Sequence, residues 1–221
     1  SNVDSNASVY IKSQEGLNSS SIIGQSFVYD KRDSKMAPTS GLMLRFNQSF
    51  AGVGGDNTFL KHELKTDYYV PLAKKWTYVA SGSAGNIFGI GQDVRINHRF
   101  FAGSEQIRGF STAGIGPRDS ATQDPLGGNT YYAASNEIRF PLGLSDDAGI
   151  TGAAFADIAN LYDLDQTGTG IDANSALRAS AGLGVAWNSP FGPLRVDFAL
   201  PLLKQNYDDT ELIRFRFGTN F

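Results

Sequence analysis

The chain of 221 residues contains no cysteine, two histidines, two methionines and two tryptophans. The missing cysteines exclude disulfides and thiolate-held metals, and they suit a protein that crosses an oxidising compartment unfolded. The two histidines, His62 and His98, lie at no convincing spacing from Ser and Asp partners, so neither a catalytic constellation nor enzymatic activity is expected. Charged residues make up 19% of the chain, and nowhere do they leave the ~18 uncharged apolar residues that a membrane-spanning helix requires. The net charge is −3 and the Lys and Arg are scattered singly, which argues against nucleic acid as a partner. Gly54-Gly55-Asp56 and Gly89-Ile90-Gly91 have no helix after them to cradle a phosphate. The opening residues show no signal peptide, so the sequence reads as a mature protein or a piece of one.

What is abundant is 25 glycines, 15 phenylalanines and 9 tyrosines, a mixture that fits many strands, tight turns and aromatic girdles. The last ten residues alternate: Ile213, Phe215, Phe217, Thr219 and Phe221 point one way, and Arg214, Arg216, Gly218 and Asn220 the other. A strand with one apolar face and one charged face, ending on an aromatic, reads as the closing strand of an outer-membrane β-barrel, with Phe215, Phe217 and Phe221 as its signal. The same two-faced pattern predicts strands at about Ile22–Arg32, Leu42–Ala51, Thr58–Val70, Lys74–Asn86, Thr130–Leu142, Ile150–Leu161, Leu177–Asn188 and Pro193–Leu200. A further strand is expected at about Ala7–Gln14. In the Lys74 segment Val79 interrupts the alternation. The fold class is therefore all-β, an antiparallel transmembrane barrel of which about nine or ten strands are present.

Connections alternate in length, with Pro71–Lys74, Gly143–Gly149 and Ser189–Pro193 short. Gly89–Asn129, Tyr162–Ala176 and Pro201–Glu211 are long, and the long ones should face the exterior. The Gly89–Asn129 connection is roughly forty residues, a length that marks a functional loop. It holds Ile107-Arg108-Gly109-Phe110, then Gly116-Pro117-Arg118-Asp119 and Gly127-Gly128-Asn129.

With these segments in order, followed by Ser189-Pro190-Phe191-Gly192-Pro193-Leu194-Arg195 and the aromatic terminus, the chain closely resembles the barrel of BamA-type outer-membrane assembly factors, the bacterial surface antigen superfamily. Tyr29-Asp30-Lys31-Arg32-Asp33 and Pro38-Thr39-Ser40-Gly41 resemble an earlier hairpin of that family. The resemblance covers nearly the whole chain and implies that residues 1–221 are the C-terminal part of a sixteen-stranded barrel, an even count usual for such proteins. It implies that the 89–129 loop folds back into the lumen and that its arginine meets acidic residues of the inner wall. The matching positions are Arg108, Gly109 and Phe110 on the loop and Glu137 and Asp157 on the wall. Strand register independently turns Glu137 inward with Ser135 and Arg139, and Asp157 inward with Phe155 and Thr151. A guanidinium suits two carboxylates because it stays charged and offers a planar fork of donors.

The family further implies a lipid bilayer, unfolded barrel clients and assembly-complex lipoproteins as partners, with no cofactor. The alternative is a protein-translocating pore of the two-partner secretion or TamA type. With part of the barrel absent, Leu212–Phe221 is expected to pair with the Ala7–Arg32 region and close a smaller barrel, or to pair with a second copy. Asp163-Leu164-Asp165-Gln166-Thr167-Gly168 faintly imitates a calcium loop, but Asn174 stands where the bidentate acid belongs, so no metal is expected.

Overall fold

The structure, a computed structural model, describes residues 4, 6–143, 149–166, 168–189 and 192–218. A short helix, α1 (Val9–Lys12), precedes β1 (Ser20–Asp30), β2 (Gly41–Gly55), β3 (Phe59–Ala73) and β4 (Trp76–Gly89). After the long loop come β6 (Thr130–Pro141), β7 (Ile150–Tyr162), β9 (Arg178–Ser189), β10 (Gly192–Leu203) and β11 (Ile213–Phe217), while β5 (Arg118–Asp119) and β8 (Ile171–Asp172) form a separate two-strand ladder. The nine long strands make one antiparallel meander in the order β1-β2-β3-β4-β6-β7-β9-β10-β11. Each expected strand from Ile22 onward is there, with ends shifted by a few residues.

The two faces of this sheet are inverted relative to a water-soluble core. On one face the apolar rows are bare, with Leu183 at 62% and Phe215 at 66% exposure. On the other face Glu137, Asp157, Arg195 and Asp197 are buried, the last two at 4% and 1%, while Arg45 of β2 and Lys65 of β3 remain exposed. The covered face carries the 90–129 loop, whose Phe100, Ile107, Phe110 and Ile115 cluster with Tyr131, Ala133, Ala159 and Leu161 of the wall. Fully burying a Phe or Ile contributes about 1.5–3 kcal/mol, enough to seat a loop that carries several. Val79 does not interrupt the strand: it lies on the covered face between Tyr69 and Glu137, where it is buried.

Residues 6–19, the 56–58 turn and the connections 90–129, 163–166, 168–177 and 204–212 share one end of the sheet, and 31–40, 74–75 and 142–143 lie at the other. The length of 31–40 is not slack. Asp33 accepts hydrogen bonds from the amide and hydroxyl of Thr39 (2.9 and 2.6 Å) and from the amide of Ser40 (3.2 Å), which pins the turn.

Two expectations are overturned. The Ala7–Gln14 segment is no strand: Ser8 caps α1 by accepting from the Tyr10 amide, so a helical turn forms where alternation pointed to an extended chain. Nor does β11 pair with β1 or with the segment before it. Among the described residues the sheet is open, with β1 and β11 at opposite edges. A covered face already filled by a folded loop cannot curl to a smaller radius, so the arc keeps the curvature of a larger cylinder. Phe221 lies outside the described residues.

If the bare face meets lipid, Leu183→Arg at mid-strand should cost about 2–4 kcal/mol of folding free energy in vesicles. Urea unfolding of the two forms checks this, and a loss under about 0.5 kcal/mol would place that face elsewhere.

Candidate functional site

The loop reaches the wall as a folded unit. Its base closes through bridges Phe100↔Gly128 and Ala102↔Ile115. The buried Arg99 guanidinium ties the same region by donating to the carbonyls of Val94 (2.8 Å) and Leu126 (3.2 Å). At the tip, the amides of Gln106 and Ile107 both donate to the Gly103 carbonyl at 2.8 Å, a single helical turn that delivers Arg108 to the sheet.

Arg108 is 8% exposed. Its Nε and Nη2 grip the two oxygens of Asp157 at 2.7 Å each, and its own backbone amide adds a third bond to Oδ2 at 3.1 Å. Nη1 donates to Glu137 Oε2 at 2.5 Å, and Nη2 also donates to Ser135 Oγ at 2.8 Å. The Ser135 hydroxyl in turn donates a hydrogen bond to Asp157 Oδ1 at 2.7 Å. The flat face of the guanidinium lies over Phe155 with its carbon 3.4 Å from the ring centroid. An ammonium could reproduce neither the bidentate fork nor the stacking. Gly109 follows at φ +92, a left-handed conformation that lets the chain turn away immediately after the arginine. Phe110 is fully buried in the cluster described above.

Glu137 is shared. Arg195 donates to both of its oxygens (2.7 and 3.1 Å) and Arg139 Nε to Oε1 (2.8 Å). Arg195 also grips Asp197, with Nε 2.9 Å from Oδ1, and Arg216 on β11 donates to the other Asp197 oxygen. The network therefore runs Asp157–Arg108–Glu137–Arg195–Asp197–Arg216, from the loop to the last strand. Two strands, β7 and β9, lie between Glu137 on β6 and Arg195 on β10, so the pairing needs β9 to present almost nothing beside Arg195. Gly184 meets that need: a Cβ there would come 2.3 Å from Asp197 Oδ1 and 3.1 Å from Arg195 Nη2.

A second buried arginine, Arg178, donates to both carboxylate oxygens of Asp208 at 3.0 Å and to the Ala176 carbonyl at 2.7 Å, fastening the 204–212 connection. At the far end of the loop, Ser8 Oγ donates to Asp119 at 2.5 Å and the Ser8 amide to Asp124 at 2.7 Å. The Ser8 hydroxyl, then the Ala121 amide, hold the Asp119 carboxyl below its ordinary pKa. His98 stacks on Phe59 at 4.7 Å, and burial, then the charges of Lys61 and Arg95, push its pKa down. His62 sits on the bare face, stacked on Phe46 at 5.9 Å. Asp165 accepts from the Val94 amide at 2.7 Å. Phe215 and Phe217 are exposed on the bare side of β11.

Sequence reasoning placed Glu137 and Asp157 facing inward, and the structure brings both to Arg108. It missed Arg195 and Asp197 as network members. It also missed Arg99 and Arg178, whose partners are mostly carbonyls and loop residues that no periodicity marks.

A nine-strand arc with a bare apolar face and a folded loop against its charged face defines an outer-membrane barrel wall. The sequence matches the Omp85 superfamily domain over residues 1–221, and the chain belongs to that superfamily. It is 36% identical over 221 residues to the outer membrane protein assembly factor BamA of Neorickettsia risticii (strain Illinois), covering 99% of this chain and 30% of that protein. To the sorting and assembly machinery component 50 homolog of Mus musculus it is 29% identical over 230 residues, covering 97% of this chain and 48% of that one. The crystal structure of BamA from Haemophilus ducreyi lacking POTRA domains 1–3 superposes with a TM-score of 0.79 at 25% identity, covering 88% of this chain and 41% of that one. The chain thus spans less than half of each of these relatives.

Three outcomes follow from this geometry. Arg108→Ala strands Asp157 with one side-chain partner, Ser135, and should loosen the seated loop by about 3–5 kcal/mol, read as lost heat resistance of the folded band on a gel. Gly184→Ala should cost about 1–3 kcal/mol by displacing Asp197, while Ala186→Gly, on the same strand and face, should cost less than Gly184→Ala in the same melt. Because the folded Asp119 pKa is depressed, its bond to Ser8 adds stability above about pH 4 and loses it as pH falls through the lower folded value. A spin label at Val9 should therefore keep its mobility from pH 7 to 5 and become freer only in stronger acid.

Proposed function

We propose that the chain is the membrane portion of an outer-membrane assembly factor, which folds and inserts other β-barrels into the outer membrane. Residues 1–221 form one partial barrel domain, and 89–129 is its extracellular loop folded into the lumen. The partners of this reading are the lipid bilayer, unfolded barrel clients and the lipoproteins of an assembly complex. The observation that carries it is the seating of Arg108 between Asp157 and Glu137, in a chain whose relatives are named for outer membrane protein assembly in a bacterium and for sorting and assembly in a mouse.

The chain's own residues support that role physically. A bare apolar face places the wall in lipid, and the salt-bridged interior gives the loop one defined position rather than many. Arg108, Gly109, Phe110, Glu137 and Asp157 act together as a loop lock. Phe215 and Phe217, with Phe221 beyond them, mark the terminal strand for the bilayer.

The test uses the full-length protein in vesicles, with the folding rate of an added client barrel as the readout. Arg108→Ala should lower that rate roughly ten-fold, a barrier change of about 1.4 kcal/mol. Arg108→Lys should recover only part of it. A client-folding rate indistinguishable from that of protein-free vesicles would remove the assembly reading, and an Arg108→Ala rate within two-fold of the parent would remove the lock from it.

A further inference from the structure

The terminal strand and the loop tip touch at more than the end of the ion network. β10 extends to Leu203, but β11 pairs with it only from Phe198 downward, where Phe198 faces Ile213. Above that level the chain leaves β10 and turns onto the loop. The Asp209 amide donates to the Gly114 carbonyl at 2.9 Å, the Ser111 amide to the Asp209 carbonyl at 3.0 Å and the Glu211 amide to the Gly109 carbonyl at 3.2 Å. Residues 209–211 therefore use the loop tip as the backbone partner that β10 does not supply.

Side chains add to this contact. Arg214, the first inward residue of β11, donates to Glu105 of the loop tip at 2.9 Å and to Glu211 at 3.2 Å. Behind the lead-in, Asp208 is held by Arg178 with both side chains fully buried. Further down, Arg216 reaches Asp197 and through Arg195 and Glu137 returns to Arg108. The lead-in and the strand are thus bound to one loop at two levels.

We infer that the loop tip and the terminal strand form one cooperative unit, with Glu105 and Arg214 as positioning residues that couple the seating of one to the docking of the other. The physical ground is linkage. If the strand is docked best when the loop is seated, then the loop is seated best when the strand is docked, by the same factor. The consequence reaches an edge of the sheet: among the described residues no strand pairs with β11 beyond β10. A free strand edge is a template for another chain, so whatever governs the order of β11 also governs the order of that template. This inference does not depend on the assembly reading, because it concerns two segments of this chain and is read without any client.

Hydrogen exchange on the full-length protein in vesicles tests it. The Glu105–Arg214 pair is partly exposed, so its loss should be modest. Glu105→Gln should speed exchange roughly two- to five-fold at 103–114 and also at 209–217, with 41–73 unchanged. Arg214→Gln should do the same in reverse, speeding 103–114 although the substitution lies on the strand. Exchanging the two charges, Glu105→Arg with Arg214→Glu, should restore both segments toward the parent rates. Arg108→Ala should open both segments further, and if that variant fails to fold, the two glutamine variants decide alone. Exchange that rises only in the mutated segment, or in neither, overturns the coupling.

Discussion

A cation buried against a protein wall has to be answered by an anion, and that requirement organises this structure. Arg108 is taken out of water and meets Asp157 and Glu137. Glu137 then draws in Arg195 and Arg139, Arg195 requires Asp197, and Asp197 accepts Arg216. Each charge is the reason for the next. Arg216, on the last described strand, is part exposed. Such pairs are weak devices for adding stability, since desolvation offsets much of the attraction, but strong ones for fixing position. A loop held by apolar contacts alone could slide, whereas one held by a fork on two carboxylates has a single register.

The same requirement explains why the fold is turned inside out. A charged row can be kept dry only if something folds over it, and the 90–129 loop does so with its own apolar cluster. The opposite face is left to the apolar rows, which need a non-aqueous surrounding. Filling and curvature are then linked: a sheet wrapped around a forty-residue plug has a radius set by the plug, on the scale of a large barrel rather than a small one. Among the described residues the nine strands span an arc of such a cylinder, with β1 and β11 at its edges.

Much of this was legible in the residues. Alternation with period two located nine strands and assigned Glu137 and Asp157 to the inner face, because sheet geometry leaves a side chain only two choices. Which charges meet across two strands was not legible, since it turns on the bare backbone of Gly184 and on the depth to which the loop descends. The Ala7–Gln14 segment was misread because Val9 and Ile11 alternate with polar neighbours, while the signal that mattered was Ser8 at the cap position. Closure of the sheet was misread for a different reason: pairing rules act strand by strand, and curvature is a property of the filled interior.

The bond from Ser8 to Asp119 spans 111 residues of sequence, while the opposite end of the loop is fastened by residues near the C-terminus. Contacts of such separation carry a large closure entropy and arrive late in folding. The plug can therefore settle only after segments far apart in sequence, around Ser8 and around Arg214, have both reached it. Ordering of the interior is a report that those distant segments are already in place.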